Sequence, residues 1–423
     1  MRISMSCTAI LASVVIGHSP PAAAQVDRQL AEQYFKEAQT LCERDGGRLW
    51  GVSLCGPMVI ADAATGTIAT NQPAPAEERP RTLGFVNGPV QWGGVTWSAF
   101  SWPMIPKDDR AERGRLFMHE LFHGIQPRLG LLAPPDPSAG ENVHLDSLEG
   151  RYWMRLEWRA LARALGASGP ARTAAIADAL AFRAARHRHF PAAAASEHVV
   201  DINEGIATYT QFVTGSEGAE DAIRNAMTGL ADAETGTSFI RTFAYASGAG
   251  YGLLLDALSP GWHRKITGAS DPGQLLAAAA GVTAAPDAAA AAARYDGAQL
   301  RAAEEQRDRE QQAIIAGLRR RYVDGAVLIV PRAGSGSINT MGATVIPGVG
   351  TVFRTMARKG AWGSFDAQAG ALVSTDDETI WLPAPVVVDA TTLKGDGWTA
   401  TVGPGWTVQP GPRPGSFRVV RER

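Results

Sequence analysis

Eight consecutive residues, Leu116-Phe117-Met118-His119-Glu120-Leu121-Phe122-His123, constrain this chain more than any other stretch. Three are ionisable, five are large and apolar, and the polar ones read His-Glu-x-x-His. On an α-helix, residues i and i+4 share a face, so His119 and His123 project side by side while the apolar residues demand a core. Two neutral imidazoles suit a borderline ion such as zinc, and a third protein ligand would leave one position for water. Glu120 is then placed to take a proton from water that the metal acidifies towards a pKa of about 7. The plainer reading is two hydrogen-bonded helical histidines and a solvated glutamate. A third ligand is needed to choose between them.

The flanks of the motif read as a strand followed by a helix. Val95 to Trp102 alternates in a β-prone run that Pro103 and Pro106 end. Such a strand would bind an extended peptide by strand addition if it formed an exposed sheet edge. Lys107 to Arg115 is a charged entry whose two aspartates suit a helix N-terminus, and the helix is expected to reach about Gln126, with Pro127 as its limit. Upstream, Val26 to Arg44 is helical in character. Leu49 to Leu54 and Met58 to Ala61 read as strand, and Thr67 to Thr70 closes a hairpin across Ala64-Thr65-Gly66.

Beyond the motif lies a mostly helical excursion, Leu145 to Phe190. Leu145, Leu148, Tyr152, Trp153, Leu156 and Ala160 form one apolar stripe, with Glu149 in its midst. A carboxylate there needs a partner. Three readings stand: a metal ligand, a partner of a ligating histidine, or half of a buried pair with a nearby arginine. The basic run Arg183, Arg186, His187, Arg188, His189 reads as a solvated helix end.

The next landmark is Asp201-Ile202-Asn203-Glu204-Gly205-Ile206-Ala207-Thr208-Tyr209. His-Glu-x-x-His followed by Asn-Glu-Gly-x-Ala-x-Tyr resembles the gluzincin metallopeptidases, in particular the aminopeptidase N-like group. The resemblance covers Val95 to Asp256. It implies a zincin-like catalytic unit with Glu204 as third zinc ligand on a helix facing the first. Tyr245-Ala246-Ser247-Gly248 looks like the family's Tyr-x-x-Gly element, which implies that Tyr245 stabilises the oxyanion; Tyr251 is the alternative, and packed aromatics with satisfied hydroxyls the plainer account. The chain departs from the family in two ways. Glu204 lies 81 positions after His123, much farther than in close members, which keeps Glu149 in play as a ligand. No Gly-x-Met-Glu-Asn element precedes the motif, so aminopeptidase specificity does not carry over.

The ends of the chain bear on location and organisation. Met1 to Ala24 has a positive start at Arg2, an apolar run from Ala9 to Ile16 and small residues before Gln25, the pattern of a secretory signal peptide. That run is too short to span a bilayer, and the Ala-rich stretch Leu276 to Ala293 is broken by Pro286 and Asp287. Cys42 and Cys55 remain after processing, and export favours a bridge between them. A net charge of −2 gives no footprint for nucleic acid or an anionic membrane. Asp271 to Gly297 reads as a helical spacer, Ala298 to Tyr322 as a long helix, and the remainder as short β-prone runs free of His and Cys. The expectation is therefore an α+β chain: signal peptide 1–24, zincin-like domain 25–296 with a helical insertion at about 145–190 and a small N-terminal sheet, then a long helix and small β domain over 297–423. Function is expected to be that of a periplasmic or secreted zinc peptidase acting on a peptide or protein substrate. His119, His123 and Glu204 would hold Zn2+, with Glu120 and Tyr245 catalytic. The competing reading is a non-enzymatic cell-envelope binding protein with a structural or vestigial metal site.

Overall fold

The computed structural model describes residues 25–133, 142–339, 342–389 and 391–422; the leader-like Met1 to Ala24 lies outside the described residues. The chain divides into two compact units, Met1–Leu300 and Arg301–Arg423, a helical region followed by a β region. In the first unit the elements run α1 (Arg28–Asp45), β1 (Met58–Asp62), β2 (Thr67–Thr70), β3 (Gly88–Trp92), β4 (Val95–Ser101), α2 (Arg110–Ile125), α3 (Leu148–Leu165), α4 (Gly169–His189) and α5 (Ala193–Val200). A π-helical turn, Asp201–Gly205, leads into α6 (Ile206–Gly215), α7 (Ala219–Ala233), α8 (Phe243–Leu258), α9 (Pro272–Ala280) and α10 (Ala288–Ala292). The last helix, α11 (Gly297–Arg319), begins in this unit and continues into the second.

The four strands form one sheet in the order β2-β1-β4-β3, with β1 and β4 parallel and the other pairs antiparallel. One expectation fails here, and the condition attached to another is not met. Leu49 to Leu54 is turn and coil: Gly47 and Gly51 both take φ of +77° and break any strand, yet Leu49, Trp50 and Leu54 are still buried. The strand Val95–Ser101 is central, paired on both sides, so it offers no edge for a peptide. The edges are β2 and β3, and β3 pairs along its own whole length with β4, from Gly88↔Ala99 to Trp92↔Val95.

Helix α2 begins where Asp109 caps it, its carboxylate accepting from the Glu112 amide at 2.8 Å. One flank packs on α1, where Arg113 bonds Glu37 at 2.9 Å and Tyr34 meets Phe117. A second flank packs on β4, where Phe100 meets Phe117 edge-on at 5.0 Å and Ser98 donates to the Glu120 carbonyl at 2.9 Å. A third packs on α6. The segment after the motif shares this core: Met154, Trp158 and Leu161 of α3 are fully buried in the same cluster as Phe117 and Phe122. Cys42 and Cys55 are joined by a disulfide that ties α1 to the coil before β1.

The second unit carries β5 (Val327–Pro331), β6 (Ser335–Ile338), β7 (Thr344–Ile346), β8 (Gly350–Phe353), β9 (Met356–Gly360), β10 (Gly363–Ala367), β11 (Ala371–Ser374), β12 (Thr379–Pro383), β13 (Val386–Val387), β14 (Thr392–Gly395), β15 (Trp398–Val402), β16 (Trp406–Pro410) and β17 (Phe417–Arg421). They make two sheets, β13-β14-β15-β10-β9-β6 and β16-β17-β5-β12-β11-β8-β7. Val330, Ile380 and Leu382 of one sheet share a core with Phe365, Leu393 and Trp398 of the other, the arrangement of a sandwich. On the reverse face of the second sheet, Tyr322 and Leu318 pack against Ile346, Val352 and Leu372. No helix of the described residues is long and apolar enough to cross a membrane.

Candidate metal centre

His119 and His123 leave the same face of α2, as the i, i+4 spacing requires. Glu204 reaches them from the π-helical turn between α5 and α6. A π-turn adds one residue to the helical ladder and re-aims the side chains that follow, which is why such turns recur at functional sites. The result is a triangle of atoms. His119 Nε2 lies 3.2 Å from Glu204 Oε2, His123 Nε2 lies 3.4 Å from the same oxygen, and the two nitrogens are 3.1 Å apart.

These distances test whether the three residues fit a metal. Ligand bonds of about 2.0–2.1 Å at tetrahedral angles set donor atoms about 3.3 Å apart, and the observed edges bracket that value. The electrostatics agree. Burial works to raise the Glu204 carboxyl, but the two imidazoles and the neighbouring Tyr245 hydroxyl outweigh it and hold it well below the usual carboxylate range. An ionised carboxylate beside a second, buried carboxylate at Glu120 is a site that favours a cation. His119, His123 and Glu204 could therefore hold a metal ion.

Glu120 points into the same cleft, 7% exposed. Burial raises its carboxyl above the ordinary value and Glu204 adds to this, while the two histidines oppose it. Tyr245 lines the cleft as well. Its ring stacks on the His119 imidazole at 5.5 Å, and burial pushes its hydroxyl far above its ordinary value, with the nearby Glu204 carboxylate contributing. The cleft holds about 420 Å3, and Asn87, Gly88 and Pro89 at the start of the edge strand line one wall.

Two glycines set the position of Tyr245. Gly205 in the π-turn and Gly248 in α8 touch backbone to backbone: a Cβ on Gly248 would stand 2.2 Å from the Gly205 carbonyl oxygen. Tyr245 lies three residues before Gly248, on the same face of α8, so this crossing carries it to Glu204. One turn further, Gly252 leaves room for the Tyr209 ring, whose hydroxyl donates to Asp256 at 2.8 Å. These contacts account for the glycines and the tyrosine of both motifs.

The remaining sequence candidates fall elsewhere. Tyr251 is buried and donates to Glu157 at 2.8 Å, away from the triangle. Glu149 is half-buried in the first turn of α3 and is not among the three converging residues; the carboxylate that is fully buried on this helix is Glu157. Arg183 and Arg186, expected at a solvated helix end, are also buried, and only Arg188 and His189 of that run are exposed. Arg186 bridges Glu157 of α3 and Glu197 of α5, reaching the latter at 2.7 Å. Arg183 bonds Asp201, the first residue of the π-turn, at 2.7 Å. Gln126 was missed as well, although His119, His123 and Gln126 follow one another at i, i+4 and i+7 on a single helix face. Comparison of the chain with protein families, curated proteins and solved structures finds no match in any of the three.

Proposed function

We propose that this chain is an exported, zinc-dependent peptidase with a zincin-like catalytic unit and a gluzincin-type ligand set. The observation that carries the reading is the triangle of His119, His123 and Glu204 with Glu120 and Tyr245 facing the same cleft. Zinc held there would supply Lewis acidity and lower the pKa of a water towards neutrality. Glu120, its carboxyl raised by burial, is suited to accept a proton from the attacking water and return it to the leaving amine. Tyr245 keeps its proton across the physiological range and is 43% exposed, so its hydroxyl is free to donate to an oxyanion. Substrate would lie extended along β3, the edge strand beside the cleft, by strand addition. An oxidising compartment, which the leader-like start suggests, is consistent with the Cys42–Cys55 bridge.

The test is Glu120→Gln. The variant should bind zinc as the unaltered chain does and lose cleavage of a mixed peptide library read by mass spectrometry. Full activity in Glu120→Gln, or a zinc-loaded unaltered chain that cleaves nothing, overturns the peptidase reading.

A further inference from the structure

Gln126 follows α2 directly and is 2% exposed. Its amide nitrogen donates to three backbone carbonyls: Leu131 at 2.9 Å, Ile202 at 3.1 Å and Asn203 at 3.2 Å. Its amide oxygen lies 2.8 Å from His123 Nδ1. The two ends of a glutamine amide have the same shape, so orientation must be assigned from neighbours. Here the neighbours settle it. Carbonyl oxygens only accept, so three of them around one end require the NH2 group there, two protons shared among three acceptors.

With the nitrogen committed, the oxygen must face His123, and it can only accept. His123 Nδ1 then carries the hydrogen, and in a neutral ring Nε2 is left with its lone pair. Nε2 is the atom that stands in the triangle. The carbonyls at the other end matter equally, because Ile202 and Asn203 are the two residues before Glu204 in the π-turn.

We propose that Gln126 is a positioning residue for the metal centre: one side chain selects the His123 tautomer and clasps α2 to the turn that carries Glu204. It thereby ties two of the three ligands, which arise from segments far apart in sequence, to one rigid amide. A glutamine that only closed the end of α2 would need the carbonyl contacts but not the imidazole. The inference rests on the metal reading above only for its consequence. The tautomer itself is a property of the zinc-free chain.

The experiment uses the full chain and three forms: unaltered, Gln126→Leu and Gln126→Glu. Nitrogen-15 imidazole shifts of the zinc-free protein report the His123 tautomer, and competition with a fluorescent chelator reports zinc affinity. The unaltered chain should show Nδ1–H. Gln126→Leu, with neither acceptor nor donors, should give mixed tautomers and bind zinc about 10- to 100-fold more weakly, the usual cost of losing a ligand's hydrogen-bond partner. Gln126→Glu keeps an acceptor for Nδ1–H and loses the amide donors, so it should restore the tautomer while weakening the fold. An unaltered chain whose neutral His123 ring carries its hydrogen on Nε2 overturns the proposal whether or not the variants fold. Gln126→Leu with unchanged tautomer or unchanged zinc affinity also overturns it. An unaltered chain that shows Nδ1–H but binds no zinc would sink the metal reading and leave the tautomer assignment standing.

Discussion

Replacing Gly248 by alanine would drive a methyl group into the backbone of the π-turn. The added Cβ would stand 2.2 Å from the Gly205 carbonyl oxygen and 2.3 Å from its Cα. Non-bonded carbon contacts settle near about 3.5 Å, so α8 and the turn have to part by about 1 Å. Neither partner is a flexible side chain, and overpacking of this kind costs about 1–3 kcal/mol. On the peptidase reading proposed above, the larger effect should be on turnover. Tyr245 rides on α8 and Glu204 on the turn, so the same displacement opens the gap between them, and a misplacement of about 1 Å can cost about 100-fold in rate. Gly250→Ala is the control, because a Cβ there would meet Leu161 at an ordinary 3.5 Å; in a helix interior it should stabilise by up to about 1 kcal/mol. Urea unfolding and turnover of a peptide cleaved by the unaltered chain measure both. Equal stability and equal turnover in the two variants would refute the argument that the glycine crossing places the tyrosine.

On the same reading, Tyr245→Phe should lower turnover about 100-fold with little change in zinc affinity, as for the loss of one oxyanion donor, measured by kinetics and chelator competition. Removing the Cys42–Cys55 bridge, which closes a separation of 13 residues, should cost about 3 kcal/mol in urea unfolding; intact mass before and after alkylation checks the bridge itself. Glu197→Gln should cost about 3–5 kcal/mol at pH 7, because Arg186 is left buried with one partner fewer. Burial acts to raise the Glu197 carboxyl, but Arg186 and bonds from His144 and His187 hold it well below the usual range. A depressed carboxyl contributes fully above its unfolded value of about 4.3 and loses that contribution as pH falls through the folded one. The gap between Glu197→Gln and the unaltered chain should therefore narrow in acid, as unfolding measured from pH 7 to pH 3 would show, while Asp201, raised by burial, acts in the opposite sense in both.

What sequence shows well is local periodicity and capping. Helix α2 stands where the motif, Asp109 and Pro127 put it, and the β1–β2 hairpin and α11 are equally plain. What it hides depends on partners. Strand β3 opens with Gly and Pro, which read as loop until a neighbouring strand is known. Leu49 to Leu54 has the apolar content of a strand but not the backbone, because its glycines turn it. Arg183 and Arg186 look solvated because the carboxylates that neutralise them lie on α3, on α5 and in the π-turn, and no periodicity on α4 reveals which charge lies opposite. The candidate site was legible from its two motifs, but the tie through Gln126 depends on carbonyls that only the fold brings together.

That buried arginine pair also bears on how the molecule fluctuates. Glu157 of α3, Arg186 of α4 and Glu197 of α5 meet with no access to solvent. Letting any one helix peel away would strand bare charge in an apolar interior, a cost of several kcal/mol. Fraying one helix at a time should thereby be suppressed, and the three should open as one cooperative unit. Amide protons across residues 148–200 should accordingly exchange at a common, slow rate, and the turn bearing Glu204 inherits that protection because Arg183 ties Asp201 to α4. Helices α3 to α5 thus work as a single lock on the backbone that presents the glutamate.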